Sequence, residues 1–165
     1  MEIRILNAQD AEAYRRLRLE ALQVNPEAFA SSFEEEKDRT VEVFAERLES
    51  EQAVSLGAFL GDALVGMATL QFEKYYKMRH RGNLVGMYVT SSARGYGYGN
   101  RLLEQALMIA KNHQLEQVYL TVVSSNVQAK NLYENIGFET IGLEKNAIKL
   151  HDGLYHDEEH MVKFL

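Results

Sequence analysis

The stretch Arg94-Gly95-Tyr96-Gly97-Tyr98-Gly99 stands directly before a run in which Leu102, Leu103, Ala106, Leu107 and Ala110 recur at helical spacing. No other segment constrains the fold as much. Glycine adopts positive φ without steric cost and lets backbone approach a ligand closely. Alternating glycines at the entrance to an amphipathic helix bring free peptide N–H groups and the positive end of the helix dipole to one point, the arrangement that holds a phosphate or pyrophosphate. The dinucleotide fingerprint GxGxxG fails in either register, because Asn100 stands three positions after Gly97 and Leu102 three after Gly99. A Walker loop fails too: no GK[ST] follows, so the lysine for β/γ phosphates and the hydroxyl for magnesium are both missing. A glycine-rich surface turn is the alternative, and the rest of the chain decides between them.

With 165 residues, 46% of them hydrophobic, the chain can build one well-buried core and is short for two, so a single domain over residues 1–165 is expected. A formal net charge of −6 argues against nucleic acid as a partner, since neutralising phosphates needs a basic face, and leans toward cationic ligands. There is no cysteine, hence no disulfide, thiolate metal site or thiol nucleophile. The N-terminus MEIRILNAQDAEAY has no basic segment followed by an apolar one, and nothing approaches the roughly 18 continuous apolar residues of a membrane helix. No membrane partner and a cytoplasmic location are the default expectations.

Ile3 to Leu6 reads as a short strand, and Asn7 with Asp10 can cap a helix carrying Leu17, Ala21 and Leu22 that Pro26 ends. An acidic helix is expected within Glu34 to Glu49, with Val41, Phe44 and Leu48 on one face. Val54 to Leu60 and Ala63 to Phe72 form a hairpin around Gly61-Asp62, and Leu84 to Val89 has the length of a buried strand. The glycine loop and its helix come next, then a strand over Gln117 to Val123 and a helix over Val127 to Asn135 that Gly137 ends. Phe138 to Leu150 and Leu154 to Phe164 complete the order β-α-α-β-β-β-α-β-α-β-β, an α/β (α+β) pattern without internal repeats.

In this order the glycine loop resembles the [R/Q]xxGx[G/A] element of the Gcn5-related N-acetyltransferases, the GNAT superfamily. A second segment, Asn126-Val127-Gln128-Ala129-Lys130-Asn131-Leu132-Tyr133-Glu134-Asn135-Ile136-Gly137-Phe138, is similar to the family's NxxAxxLYexxGF pattern, with the asparagine, alanine, tyrosine and Gly-Phe in register. The resemblance covers essentially the whole chain. It implies one domain with a mixed central sheet of about seven strands flanked by four helices, acetyl-CoA as cosubstrate and no metal. Homodimers are common in the family, so a homodimer is a further implication.

Amide formation from a thioester needs a bound acyl carrier, a deprotonated amine, stabilisation of the developing oxyanion and a proton for the leaving thiolate. By the resemblance, the backbone from Gly95 through Tyr96, Gly97, Tyr98 and Gly99 to Asn100 faces the pyrophosphate, with Arg94 adding charge. Met87, Tyr88 and Val89, on the strand before the loop, pair with the pantetheine arm, and an amide at Met87 or Tyr88 polarises the thioester carbonyl. Asn126 caps its helix and meets the coenzyme arm, with Asn131 counted among the coenzyme contacts. Tyr133 serves the leaving group: a phenol titrates near about 10 and an alkyl thiol near about 8.5, so a neutral tyrosine can donate to a departing thiolate. Many relatives carry a glutamate on the strand before the loop, whereas Asn83 to Val89 contains no carboxylate, which leaves the general base open.

By position in that fold, Phe29, Ser31, Ser32, Phe33 and Glu36 line the acceptor site, with Tyr155 as a further candidate. A run such as Glu34-Glu35-Glu36 is ordinarily a solvated helix face; at the acceptor site it leans toward a small cationic amine. Acceptor alternatives are a peptide N-terminus or a lysine, and a non-catalytic acyl-CoA-binding module is the alternative of another class. His156 and His160 have the spacing of a helical zinc pair, but on a strand four residues span roughly 13 Å, too far to share an ion. Lys74 to Arg81 mixes basic and aromatic residues in one short loop of an acidic protein and reads as a solvated connection.

Overall fold

The computed structural model describes residues 1–165. Strand β1 (Glu2–Ile5) leads into a short 3-10 turn on which Asn7 and Asp10 form a reciprocal capping box, and helix α1 (Ala11–Val24) follows without a break. The cap expected for the helix thus serves the turn before it. Arg4 holds Asp10 from β1 through bonds of 2.8 and 2.7 Å, and this pairing sets the Asp10 carboxyl below its ordinary range. Pro26 opens another 3-10 turn just beyond α1.

The acidic stretch does not form one helix. It divides into a single turn, α2 (Phe33–Glu36), and α3 (Val41–Leu48), so five helices stand where four were expected. Two features mark the break: Ser32 and Glu35 form a capping box at α2, and Thr40, in extended backbone at ψ 163° and without a side-chain cap bond, takes the chain out of helical geometry before α3. Next come β2 (Ala53–Leu60) and β3 (Ala63–Phe72), joined at Gly61 with φ +58°, the positive value a two-residue hairpin turn requires. The remaining elements are β4 (Arg81–Val89), α4 (Tyr98–Asn112), β5 (Gln117–Val123), α5 (Val127–Ile136), β6 (Glu139–Lys149) and β7 (Tyr155–Phe164). Gly137 closes α5 in the left-handed region at φ +98°.

The strands form one seven-stranded sheet in the order β1-β2-β3-β4-β5-β7-β6, antiparallel everywhere except between β4 and β5. One face packs against α1 and α3, where Leu17, Leu22 and Phe44 meet Phe59, Met67 and Tyr88. Leu102, Leu103 and Ala106 of α4 and Tyr133 of α5 cover the other face over Leu56, Leu70 and Leu120. No helix is long and apolar enough to cross a membrane.

Two features of β4 position the site. Its parallel ladder with β5 covers only Arg81–Asn83 against Gln117–Tyr119, and beyond it the strands diverge. On its other edge, Val85 to Tyr88 spans three steps while the paired Thr69 to Met67 spans two, so β4 carries one extra residue, a bulge at which Gly86 takes φ +62°. The sheet therefore opens as a wedge between the C-terminal halves of β4 and β5.

Candidate active site

The wedge continues into one cavity of about 1550 Å³, reaching from the glycine loop, between β4 and β5, to α1 and α3. At the loop end, Gly95 and Gly97 both take φ +83°, and nothing lies within 4 Å of where either would carry a Cβ. Positive φ makes glycine the unstrained choice, and the space a side chain would fill is open to a ligand. Gly97 is the N-cap of α4 and has no side chain to satisfy the first helical N–H groups, which therefore face the cavity as anion donors. Gly99 has a different reason: a Cβ there would sit 3.2 Å from Leu132 Cδ2, so it allows α4 and α5 to approach.

Gly95, Gly97, Tyr98, Gly99 and Asn100 all contribute to the wall, while Tyr96 lies outside it, 72% exposed at the loop tip. The Tyr98 ring is buried in the core, leaving its backbone for the loop. Arg94 also lines the cavity, but its Nε donates to the Val89 carbonyl at 2.9 Å and its Nη2 to Asn25 Oδ1 at 3.0 Å. It staples the loop to β4 and to the exit of α1, and its charge stays beside the glycines.

In the middle of the wedge stand Met87, Tyr88 and Val89. The Tyr88 side chain is turned toward α1, where its hydroxyl donates to Glu20 Oε1 at 2.8 Å beside Thr90 Oγ1 at 2.6 Å. Burial, then the Glu20 carboxylate, push that phenol up to about 12. β3 pairs Tyr88 and Val89 on one edge of β4, and what β4 presents to the cavity is its other edge, which β5 does not pair here. Facing it from α5, Tyr133 is 6% exposed, packs edge-on to Phe138, and keeps its hydroxyl free of any protein partner. Burial alone pushes Tyr133 up to about 12, so it is a neutral donor at physiological pH. Asn126 Oδ1 accepts the Ala129 N–H at 3.1 Å, capping α5 from the cavity wall.

Toward α1 and α3 the wall contains Phe29, Ser31 and Glu36. The acidic run is only partly the solvated face it reads as: Glu34 and Glu35 are exposed, but Glu36 is 2% exposed. Its carboxylate accepts from Arg18 at 3.2 Å, from Arg47 at 3.2 Å and from the Ser31 hydroxyl at 2.7 Å. Burial raises its pKa, yet these bonds and the two guanidinium charges outweigh burial and hold it below the ordinary carboxylate range. A carboxylate held so is a poor base, and its charge is spent within the protein.

Besides Tyr96, four more expected site residues do not reach the cavity. The Ser32 hydroxyl is committed to the cap of α2, and Phe33 packs on the α1 side of the core. Asn131 lies on the solvent side of α5, and Tyr155 opens β7 with Lys149 Nζ 5.0 Å from its ring. His156 and His160 are both on β7, where His160 Nε2 meets Glu144 Oε2 at 3.0 Å.

The acetyltransferase (GNAT) family model matches residues 13–138, most of the chain and both walls of the wedge. The chain belongs to the GNAT family. The family is one of acetyltransferases. Among solved structures, this GNAT chain resembles a ribosomal-protein-alanine N-acetyltransferase from Brucella melitensis, with 25% identity, a TM-score of 0.87 and 100% of each chain covered. A phosphinothricin acetyltransferase from Sinorhizobium meliloti, solved in complex with AcCoA, gives a TM-score of 0.86 at 21% identity over 99% of this chain and 88% of that one. N-alpha-acetyltransferase 30 of Homo sapiens is 31% identical over 81 residues, 49% of this chain and 22% of that protein. The chain thus spans less than a third of the length of the curated relatives it matches.

Three parts of this GNAT site escape a linear reading. The bulge at Gly86 is marked only by one glycine within an apolar strand, a recognised bulge signal that carries no register. Arg18 and Arg47, on α1 and α3, look like solvated helix positions until the fold places both against Glu36. Ser125 and Gln128 join the wall beside Asn126 with no motif of their own.

Proposed function

We propose that this acetyltransferase moves the acetyl group of acetyl-CoA onto the primary amine of a small molecule by direct attack, with both substrates bound at once. One observation carries the reading: a single cavity joins the glycine loop to the α1 and α3 side, and Tyr133 stands between these ends. The loop backbone and the N-terminus of α4 fit a pyrophosphate, since the space over Gly95 and Gly97 is open and Gly97 leaves the first N–H groups of α4 without a side-chain cap. The β5-facing edge of β4 at Met87 to Val89, beyond the end of the β4–β5 ladder, suits an extended amide-bearing arm and can polarise a carbonyl from a peptide N–H. When bound, acetyl-CoA supplies the activated acyl carbon.

The amine nitrogen bonds to that carbon as the carbon–sulfur bond breaks, and Tyr133 gives its phenolic proton, or a full hydrogen bond, to the sulfur. The proton lost by the amine leaves through water. Glu36 is held ionised and is a weak acceptor, Glu34 and Glu35 face solvent, and Glu73 is bonded to Asn83 at 3.0 Å. No cysteine is available for a covalent acyl-enzyme. A peptide N-terminus is the second reading, supported by the similarity to N-alpha-acetyltransferase 30.

Acetyl-CoA-dependent thiol release, followed with a thiol-reactive dye, tests this, and the protein contributes no thiol background. Release is expected with free amino compounds in a panel that also holds polyamines, amino sugars and short peptides. Release with peptides alone would move the assignment to the second reading.

A further inference from the structure

Glu36 is shared by two guanidinium groups, which leaves the acceptor half of the cavity with donors that the protein does not use. Arg18 spends Nε and Nη2 on Glu36 and Ser31, at 3.4, 3.2 and 2.8 Å. Its Nη1 makes no protein hydrogen bond and lies 3.7 Å from the position a Cβ would take on Gly86, beside the bulge where β4 opens. Arg47 spends only Nη1 on Glu36, at 3.2 Å, and its Nε and Nη2 are unpaired. Both side chains line the cavity and are partly sheltered, 14% and 33% exposed. At this cluster two cations meet one carboxylate; of the other charged groups of this half, Glu46 and Lys74 are exposed, and Glu27 is half-buried and accepts from Asn25 Nδ2 at 3.4 Å. A guanidinium has five N–H donors in a fork that matches a carboxylate, so unspent ones in a sheltered site are an anion receptor.

We infer that the acceptor is an amino-carboxylic acid, whose carboxylate docks on Arg18 Nη1 and the free edge of Arg47 while its amine faces the β4 bulge. This deepens the proposed function and rests on it. It also removes the ground on which the acidic run favoured a small cationic amine: that run offers no free charge here, since Glu34 and Glu35 face solvent and Glu36 is neutralised twice over. Arg47 is a specificity residue in this arrangement. Without it, Arg18 and Glu36 form a one-to-one pair and the receptor charge is gone.

The test compares matched pairs that differ only by the carboxylate: lysine with cadaverine, ornithine with putrescine, phenylalanine with phenethylamine, methionine with 3-(methylthio)propylamine. Thiol release gives kcat and KM, and calorimetric titration of the CoA-saturated protein with each compound gives binding independent of turnover. The expected result is that carboxylate-bearing members bind about 10-fold or more tightly than their partners, the range of charge-assisted pairing. Arg47→Gln is expected to abolish that preference by raising KM, with kcat and acetyl-CoA affinity kept. Equal or tighter binding of the decarboxylated amines, no binding by any carboxylate-bearing member, or a preference that persists in Arg47→Gln would each overturn the inference. Failure of the proposed function itself looks different: acetyl-CoA would then bind without any compound in either set releasing thiol.

Discussion

Tyr133 combines two properties that rarely coincide: it is almost wholly buried, and its hydroxyl has no partner in the protein. Burial pushes it up to about 12, so ionisation does not silence it at any pH where the protein works. Tyr133→Phe keeps the ring and its contact with Phe138, and is expected to lower kcat by about 100-fold while leaving acetyl-CoA affinity unchanged. Steady-state kinetics with a binding titration checks this, and an unaltered kcat removes Tyr133 from the chemistry. The same burial has a stability consequence with a definite sign. Tyr133 and Tyr88 both reach about 12 when folded, against about 10 in an unfolded chain, so the unfolded state loses protons first as pH rises. Stability is intact below about pH 10 and falls between about pH 10 and 12, by up to about 1.4 kcal/mol per pH unit for each tyrosine. Urea midpoints across that window are expected to fall less steeply in Tyr133→Phe than in the native chain. Glu36→Gln acts on charge instead: it leaves two guanidinium groups facing one neutral amide and is expected to cost about 2–3 kcal/mol, moderated by the open cavity.

At the scale of elements, the loop glycines separate conformation from occupancy. Gly97→Ala introduces a side chain at φ +83° with nothing within 4 Å, so its cost to folding is the left-handed strain alone, about 1–2 kcal/mol. Its new methyl stands in the open space over the N-terminus of α4, and acetyl-CoA binding is expected to weaken by 10-fold or more, on the order of one lost charge-assisted contact. Gly99→Ala presses on Leu132 and is expected to lower the melting temperature with a smaller change in coenzyme affinity; urea melts and calorimetry on the two variants distinguish these outcomes. Elements with local signals were legible before the structure: β5 spans Gln117–Val123 as its alternation indicates, the Gly61-Asp62 turn joins β2 to β3, and Gly137 stops α5. The cavity walls at Gly97 and Tyr133 were found because each lies within a motif whose spacing survives in one dimension. The split of the acidic helix was not, since the Ser32–Glu35 capping box and the extended backbone at Thr40 override a helical apolar pattern, and Glu36 between them is held by Arg18 from another helix. Pairing between residues as distant as Arg18 and Glu36, or Tyr88 and Glu20, depends on tertiary approach, which periodicity does not encode.

For the molecule as a whole, the wedge makes stability and coenzyme binding one problem. The sheet is continuous in order, yet β4 and β5 are joined by ladder pairing only at Arg81–Asn83 and Gln117–Tyr119; elsewhere α4 and the core beneath it hold the two halves together. Backbone on the facing edges beyond that point has no strand partner, and a buried donor without a partner is costly. A ligand that fills the wedge binds the folded state alone, so it stabilises by RT ln(1 + [L]/Kd), about 2.7 kcal/mol at 100 times Kd. For a chain of this size the melting temperature is expected to rise by about 5–10 °C with saturating CoA. Hydrogen exchange localises the effect. Amides at residues 85–89 of β4, 95–100 of the loop and 121–123 of β5 are expected to slow strongly on adding CoA, whereas those of the β6–β7 hairpin keep their rates. Uniform slowing across all strands would mean that CoA stabilises only against global unfolding. Slowing confined to the loop, with β4 and β5 unchanged, would mean that the coenzyme rests on the N-terminus of α4 without entering the wedge, and would withdraw Met87 to Val89 from its binding.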